Sequence, residues 1–163
     1  MNKGTDNSAS AGAPSGFGPR IHRAGRLQGK NKNVRRILVV DDDKLILKTT
    51  SFKLKAAGYE VLTAEDGGSA IRQVRQLRPD VILLDLNFPP DVGHGGGIPW
   101  DGLLILSWIR RTTGAQKIPV IVISGSKDHA LEFTLINGGA VRFMPKPLDF
   151  EELMSELRKH LTP

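Results

Sequence analysis

The 163-residue sequence contains no cysteine. Disulfides, thiolate metal sites and a cysteine nucleophile are therefore excluded, and the absence fits a cytoplasmic protein. No apolar run approaches the roughly 18 residues that a membrane-spanning helix needs. The opening stretch MNKGTDNSASAGAPSGFGPR has no apolar core segment and does not read as a secretory signal. Phosphate-cradling glycine patterns of the GxGxxG or GxxxxGKS/T type are missing. His22, His94, His129 and His160 are scattered, and no two stand at metal-ligand spacing.

What is present is an ordinary globular composition, 39% hydrophobic and 25% charged, in a chain long enough for one domain with a core and too short for two comfortable ones. The net charge of +6 is unevenly spread. Residues 1–36 hold eight Lys/Arg against one acid, Asp6, whereas residues 37–163 hold 15 against 16. The basic character thus belongs to the start of the chain, and any nucleic-acid contact attaches to that stretch alone. Residues 1–33, rich in Gly, Ser, Ala, Asn and Pro without apolar periodicity, read as a disordered basic tail. They serve either as a solubilising linker or as an arm that touches phosphates or an anionic surface.

From residue 35 the pattern changes to short apolar runs alternating with helical segments. Strands are expected at 35–40, 59–64, 80–85, 118–125 and 140–145, and helices at 43–58, 67–79, 101–112, 128–138 and 149–161. Gly58 and Pro79 read as helix stops. Trp108, at helix spacing from Leu104, reads as core packing. Five strands alternating with five helices imply a parallel sheet covered on both faces, an α/β fold. In open sheets of this kind ligands sit beyond the carboxyl ends of the strands.

Those ends carry chemistry. Asp41 and Asp42 follow the first strand, Asp85 closes the third, Ser124 closes the fourth, and Lys146 follows the fifth. Asp42, Asp85 and a nearby carbonyl make an all-oxygen site suited to Mg²⁺, which answers the repulsion between adjacent carboxylates. Lys146 and Ser124 are then placed to hold a phosphoryl group. Each residue alone also has a plain structural reading: a helix cap for Asp43, a turn for Asp85, a satisfied hydroxyl for Ser124. Their joint placement on a fivefold alternation is what points to a site.

Residues from about 35 to 161 resemble the receiver domain of two-component response regulators. The resemblance is carried by VVDDD (39–43), LLDLNFP (83–89), DG (101–102), VISGS (122–126) and MPKP (144–147). It implies a receiver over 34–163 with a flavodoxin-like, doubly wound five-stranded sheet of order 2-1-3-4-5. It also implies that a histidine kinase or histidine phosphotransfer protein phosphorylates Asp85. By the same resemblance, Mg²⁺ or Mn²⁺ is held by Asp42, by Asp41 through water, by Asp85 and by the main-chain carbonyl of Asn87. Ser124 and Lys146 contact the phosphoryl oxygens, Ser124 and Phe143 form the switch pair, and the Lys146–Pro147 bond is cis. A downstream protein reads the face made by the fourth helix, fifth strand and last helix.

The expected function is a stand-alone receiver, with no output domain after residue 163 and only self-catalysed phosphotransfer and dephosphorylation as chemistry. The rivals are a phosphorylation-independent scaffold, a regulator contacting nucleic acid through its tail, and an aspartyl-phosphate phosphatase. The phosphatase needs an extra acid where Asn87 stands. Three departures from the family stand out. Eleven residues, PDVGHGGGIPW, separate Pro89 from Asp101, either as a lid beside Asp85, with Asp91 and His94 as added ligands, or as a tolerated surface loop. Pro145 precedes Lys146, and Ser126 replaces an acid or amide.

Overall fold

The computed structural model describes residues 34–86, 102–126 and 128–161. The tail 1–33, the insertion after Pro89 and the expected ligands Asn87, Asp91 and His94 lie outside the described residues.

The described chain runs β1 (Arg36–Val40), α1 (Lys44–Ala56), β2 (Glu60–Ala64), α2 (Gly67–Leu77), β3 (Val81–Asp85), α3 (Gly102–Arg111), β4 (Val120–Ser124), α4 (His129–Asn137), β5 (Arg142–Pro145) and α5 (Phe150–Leu161). All pairings are parallel and the order is β2-β1-β3-β4-β5. Burial explains why β3 and β4 are apolar without alternation: every residue of VILLD and VIVIS is buried. Successive side chains go to opposite faces. Leu38, Val40, Ile82, Leu84, Val120 and Val122 pack under Val74 of α2, Ile105 and Ile109 of α3 and Leu135 of α4. Ile37, Val39, Val81, Leu83, Ile121 and Ile123 pack under Leu47 and Leu54 of α1 and Leu153 and Leu157 of α5. Burying each such side chain is worth about 1.5–3 kcal/mol, so two layers of them hold the sheet in place.

Local signals set the helix ends. Asp43 caps α1 by accepting from the Leu45 amide at 2.7 Å and the Ile46 amide at 3.3 Å. At the other end Gly58, at φ +91°, takes the left-handed turn. Its amide donates to Lys55 at 2.9 Å and that of Tyr59 to Leu54 at 3.2 Å, the paired closure of a Schellman motif. For α2 the stop lies ahead of Pro79: Arg78, disfavoured in the right-handed helical region by the proline after it, caps the helix in the left-handed region at φ 45°. Asp149 caps α5 through the Glu151 and Glu152 amides at 2.8 and 3.0 Å. Arg158, Lys159 and His160 close its last turn, where the helix dipole favours cations.

Two expectations need correction. The strands at 118–125 and 140–145 are shorter than their apolar runs, because the Ile118 amide turns back to Ala115 at 2.9 Å and pairing with β5 begins at Arg142. Trp108 packs against the core only from its edge, partly buried. Ile105, Leu106 and Ile109 take the inward stripe of α3, which leaves Leu104 exposed and Trp108 half-buried at the margin, with Arg75 5.9 Å from its ring centre. Among the described residues no helix is long and apolar enough to cross a membrane.

Candidate functional site

The sheet register explains how residues far apart in sequence meet. From β1 the chain steps to β2 on one side and then crosses to β3 on the other, so the ends of β1 and β3 flank the point where winding reverses. Val40 is level with Leu84, so Asp41 and Asp85 each stand one residue beyond a matched pair. Asp85 is level with Ile123, Ser124 is level with Pro145, and the Lys146 amide donates to the Ser124 carbonyl at 2.8 Å. A slip of one residue along β3 would send the Asp85 carboxylate to the other face.

Lys146 bridges the two buried acids. Its Nζ lies 2.8 Å from Asp85 Oδ2 and 3.0 Å from Asp41 Oδ2. Asp85 and Asp41 are 2% and 3% exposed, whereas Asp42 is exposed. Asp41 also accepts from the Asp43 amide at 2.9 Å, which shapes the turn into α1. Burial, the largest influence, pushes the Asp41 carboxyl above its ordinary value, and the Asp85 charge adds to this; the Asp43 amide and Lys146 offset only part of it. For Lys146 burial works downward, yet the two carboxylates outweigh it and hold the ammonium above its ordinary value.

Oxygen atoms of Asp41, Asp42 and Asp85 all lie within 4.8 Å of one another. Three carboxylates against one ammonium leave the cluster two charges short of neutral when all are ionised. A hard divalent cation with oxygen ligands fits that donor set and that deficit. Of the expected site residues, then, Asp41, Asp42, Asp85 and Lys146 come together directly. Ser124 is fully buried on the adjoining strand end. Phe143 is half-buried on β5, against the layer beneath α2, α3 and α4.

The response regulator receiver domain model matches residues 37–158. The chain belongs to that family. Among curated relatives of this receiver is the transcriptional regulatory protein KdpE of Mycobacterium tuberculosis, 32% identical over 122 residues, or 75% of this chain and 49% of that protein. Another is the DNA-binding dual master transcriptional regulator RpaA of Synechocystis, 32% identical over 76% of this chain and 47% of that one. The chain thus spans about half the length of the curated relatives it matches. Among solved structures, chemotaxis protein CheY4 of Vibrio cholerae superposes with a TM-score of 0.69 and 28% identity, covering 78% of this chain and 99% of that one. A response regulator receiver protein of Pseudomonas putida gives 0.68 and 25%, covering 77% and 97%.

The receiver has two site features that residue patterns alone did not reveal. Gly102 opens α3 against the end of β3: a Cβ there would meet Leu86 Cδ2 at 2.6 Å, Leu86 Cα at 2.7 Å and the Asp85 carbonyl at 2.8 Å. Only glycine lets that helix approach so closely. Ser126 donates its amide to Ser124 Oγ at 3.1 Å and accepts from the Asp128 amide at 3.2 Å. The available signal was a serine two residues ahead of an Asp helix cap, a common local turn.

Proposed function

We propose that this receiver is a phosphorylation switch in which Asp85 takes a phosphoryl group from a phosphohistidine of a histidine kinase or phosphotransfer protein. The observation that carries the reading is the Lys146 ammonium shared by Asp85 and Asp41 at 2.8 and 3.0 Å in a buried acidic pocket. A carboxylate oxygen of Asp85 attacks phosphorus in line as the bond to the donor imidazole breaks, and the imidazole nitrogen keeps the electron pair. Lys146 turns from the carboxylate to an oxygen of the transferred group, and the Ser124 hydroxyl donates to another. Water later cleaves the acyl phosphate, returning the Asp85 carboxylate and inorganic phosphate.

Asp42, Asp85 and the main-chain carbonyl of Asn87 are the proposed direct ligands of Mg²⁺ or Mn²⁺, with Asp41 acting through water. A bound divalent ion supplies charge neutralisation for the phosphoryl oxygens. Ser124 and Phe143 are the proposed switch pair. The face of α4, β5 and α5 is the proposed output surface, and the exposed Phe133, Ile136 and Val141 support it.

Intact-protein mass after incubation with acetyl phosphate, with and without Mg²⁺, tests this. One Mg²⁺-dependent phosphoryl adduct, absent from Asp85→Ala, is expected. A folded chain that gains no adduct overturns the reading in favour of a scaffold.

A further inference from the structure

Ser124 Oγ, fully buried at the end of β4, accepts from the Ser126 amide at 3.1 Å. Ser126 Oγ accepts from the Asp128 amide at 3.2 Å, and Asp128 Oδ1 accepts from the Ala130 amide at 2.8 Å as the N-cap of α4. Three hydrogen bonds in series therefore run from the sheet edge to the first turn of α4. The first two lie at the long end of the N–H···O range, so small shifts of either hydroxyl break them. The helix is otherwise held lightly: of its nine residues Leu135 alone is buried, and Leu131 packs half-buried against the core. A cavity of about 390 Å³ opens beside Ser126, Asp128 and Phe143, which gives the start of α4 room to move.

We propose that the Ser126 side chain is a positioning link that ties the start of α4 to the position of Ser124, and so delivers the state of the Asp85 site to that helix. The proposal rests on the reading of Asp85 as phosphoacceptor. A serine hydroxyl donates one hydrogen and accepts at its oxygen. When Ser124 turns to donate to a phosphoryl oxygen, its own oxygen moves, and the Ser126 amide must follow or release it. Ser126 Oγ then shifts relative to the Asp128 amide, and the cap of α4 loosens or re-forms. The chemistry needs an Oγ at 126, which threonine retains and alanine removes.

Amide hydrogen exchange of residues 128–133 in the full chain, before and after acetyl phosphate with Mg²⁺, tests the link alongside intact mass. Ser126→Ala is expected to take the adduct to the wild-type extent. Without phosphate, its first α4 turn should exchange roughly two- to ten-fold faster, the loss of one neutral hydrogen bond. Its exchange should then change no further on phosphorylation, whereas Ser126→Thr should respond as wild type does. A wild-type α4 response in Ser126→Ala, or the same failure in Ser126→Thr as in Ser126→Ala, overturns the link. If Ser126→Ala loses protection across β1 and β3 as well, it has unfolded, and Ser126→Gly takes its place in the comparison. Absence of an adduct on the wild-type chain overturns the phosphoacceptor reading instead. The unphosphorylated Ser126→Ala and Ser126→Thr pair then still decides whether Ser126 holds α4.

Discussion

Replacing Lys146 with Met keeps most of the apolar stem and removes the cation that Asp41 and Asp85 share. Taking away one partner of a buried ion pair costs about 3–5 kcal/mol, because the charge left behind is poorly solvated. The Lys146 side chain is 25% exposed, which lets some water reach the carboxylates, so about 2–3 kcal/mol is expected here. In a domain of this size that is a fall of roughly 6–15 °C in Tm.

The pH dependence has a definite sign. Burial already holds the Asp41 carboxyl above its ordinary 3.8, and Lys146 is one of the influences that restrain it. A carboxyl raised on folding favours the fold below its unfolded pKa, and that contribution is lost as pH rises through the folded value. The deficit of Lys146→Met is therefore smallest in acid and fully expressed near neutrality. Thermal unfolding of both proteins across that range, in chelator and in Mg²⁺, measures it. A cation bound only by the folded state stabilises it by mass action, so Mg²⁺ should narrow the gap. Equal stability at neutral pH in chelator, or a gap that widens in acid, would refute a buried and charged cluster.

Two further outcomes follow from the same geometry. Gly102→Ala forces a methyl against Leu86 and the Asp85 carbonyl and should cost about 1–3 kcal/mol, read as a lower urea midpoint with an unchanged slope; an unmoved midpoint would show that α3 can retreat freely. Glu156 is held below its ordinary 4.5, first by the Lys159 ammonium at 2.8 Å and then by His160 at 3.1 Å, although burial opposes both. A carboxyl lowered on folding stabilises above its unfolded pKa and loses that effect as pH falls through the folded value. Glu156→Gln should therefore lose up to about 1 kcal/mol at neutral pH, since Lys159 is solvated, and match the wild type in acid.

The amino-acid sequence by itself determined the alternation of strands and helices, the parallel sheet and the acids and lysine at its carboxyl edge. Those features are local: buried parallel strands need unbroken apolar runs, helices need caps such as Asp43 and stops such as Gly58, and whatever follows a strand lies at the sheet's carboxyl edge. Only the tertiary structure decided that Lys146 serves Asp41 as well as Asp85, across 105 residues of chain, and that Asp41 is buried while Asp42 meets water. It also set Trp108 at the margin of the core, brought Gly102 onto Leu86, and threaded Ser126 between Ser124 and α4. Periodicity reports which face of an element is apolar. Register and packing angle between elements decide which atoms then touch, and neither is written in the spacing of residues along one segment.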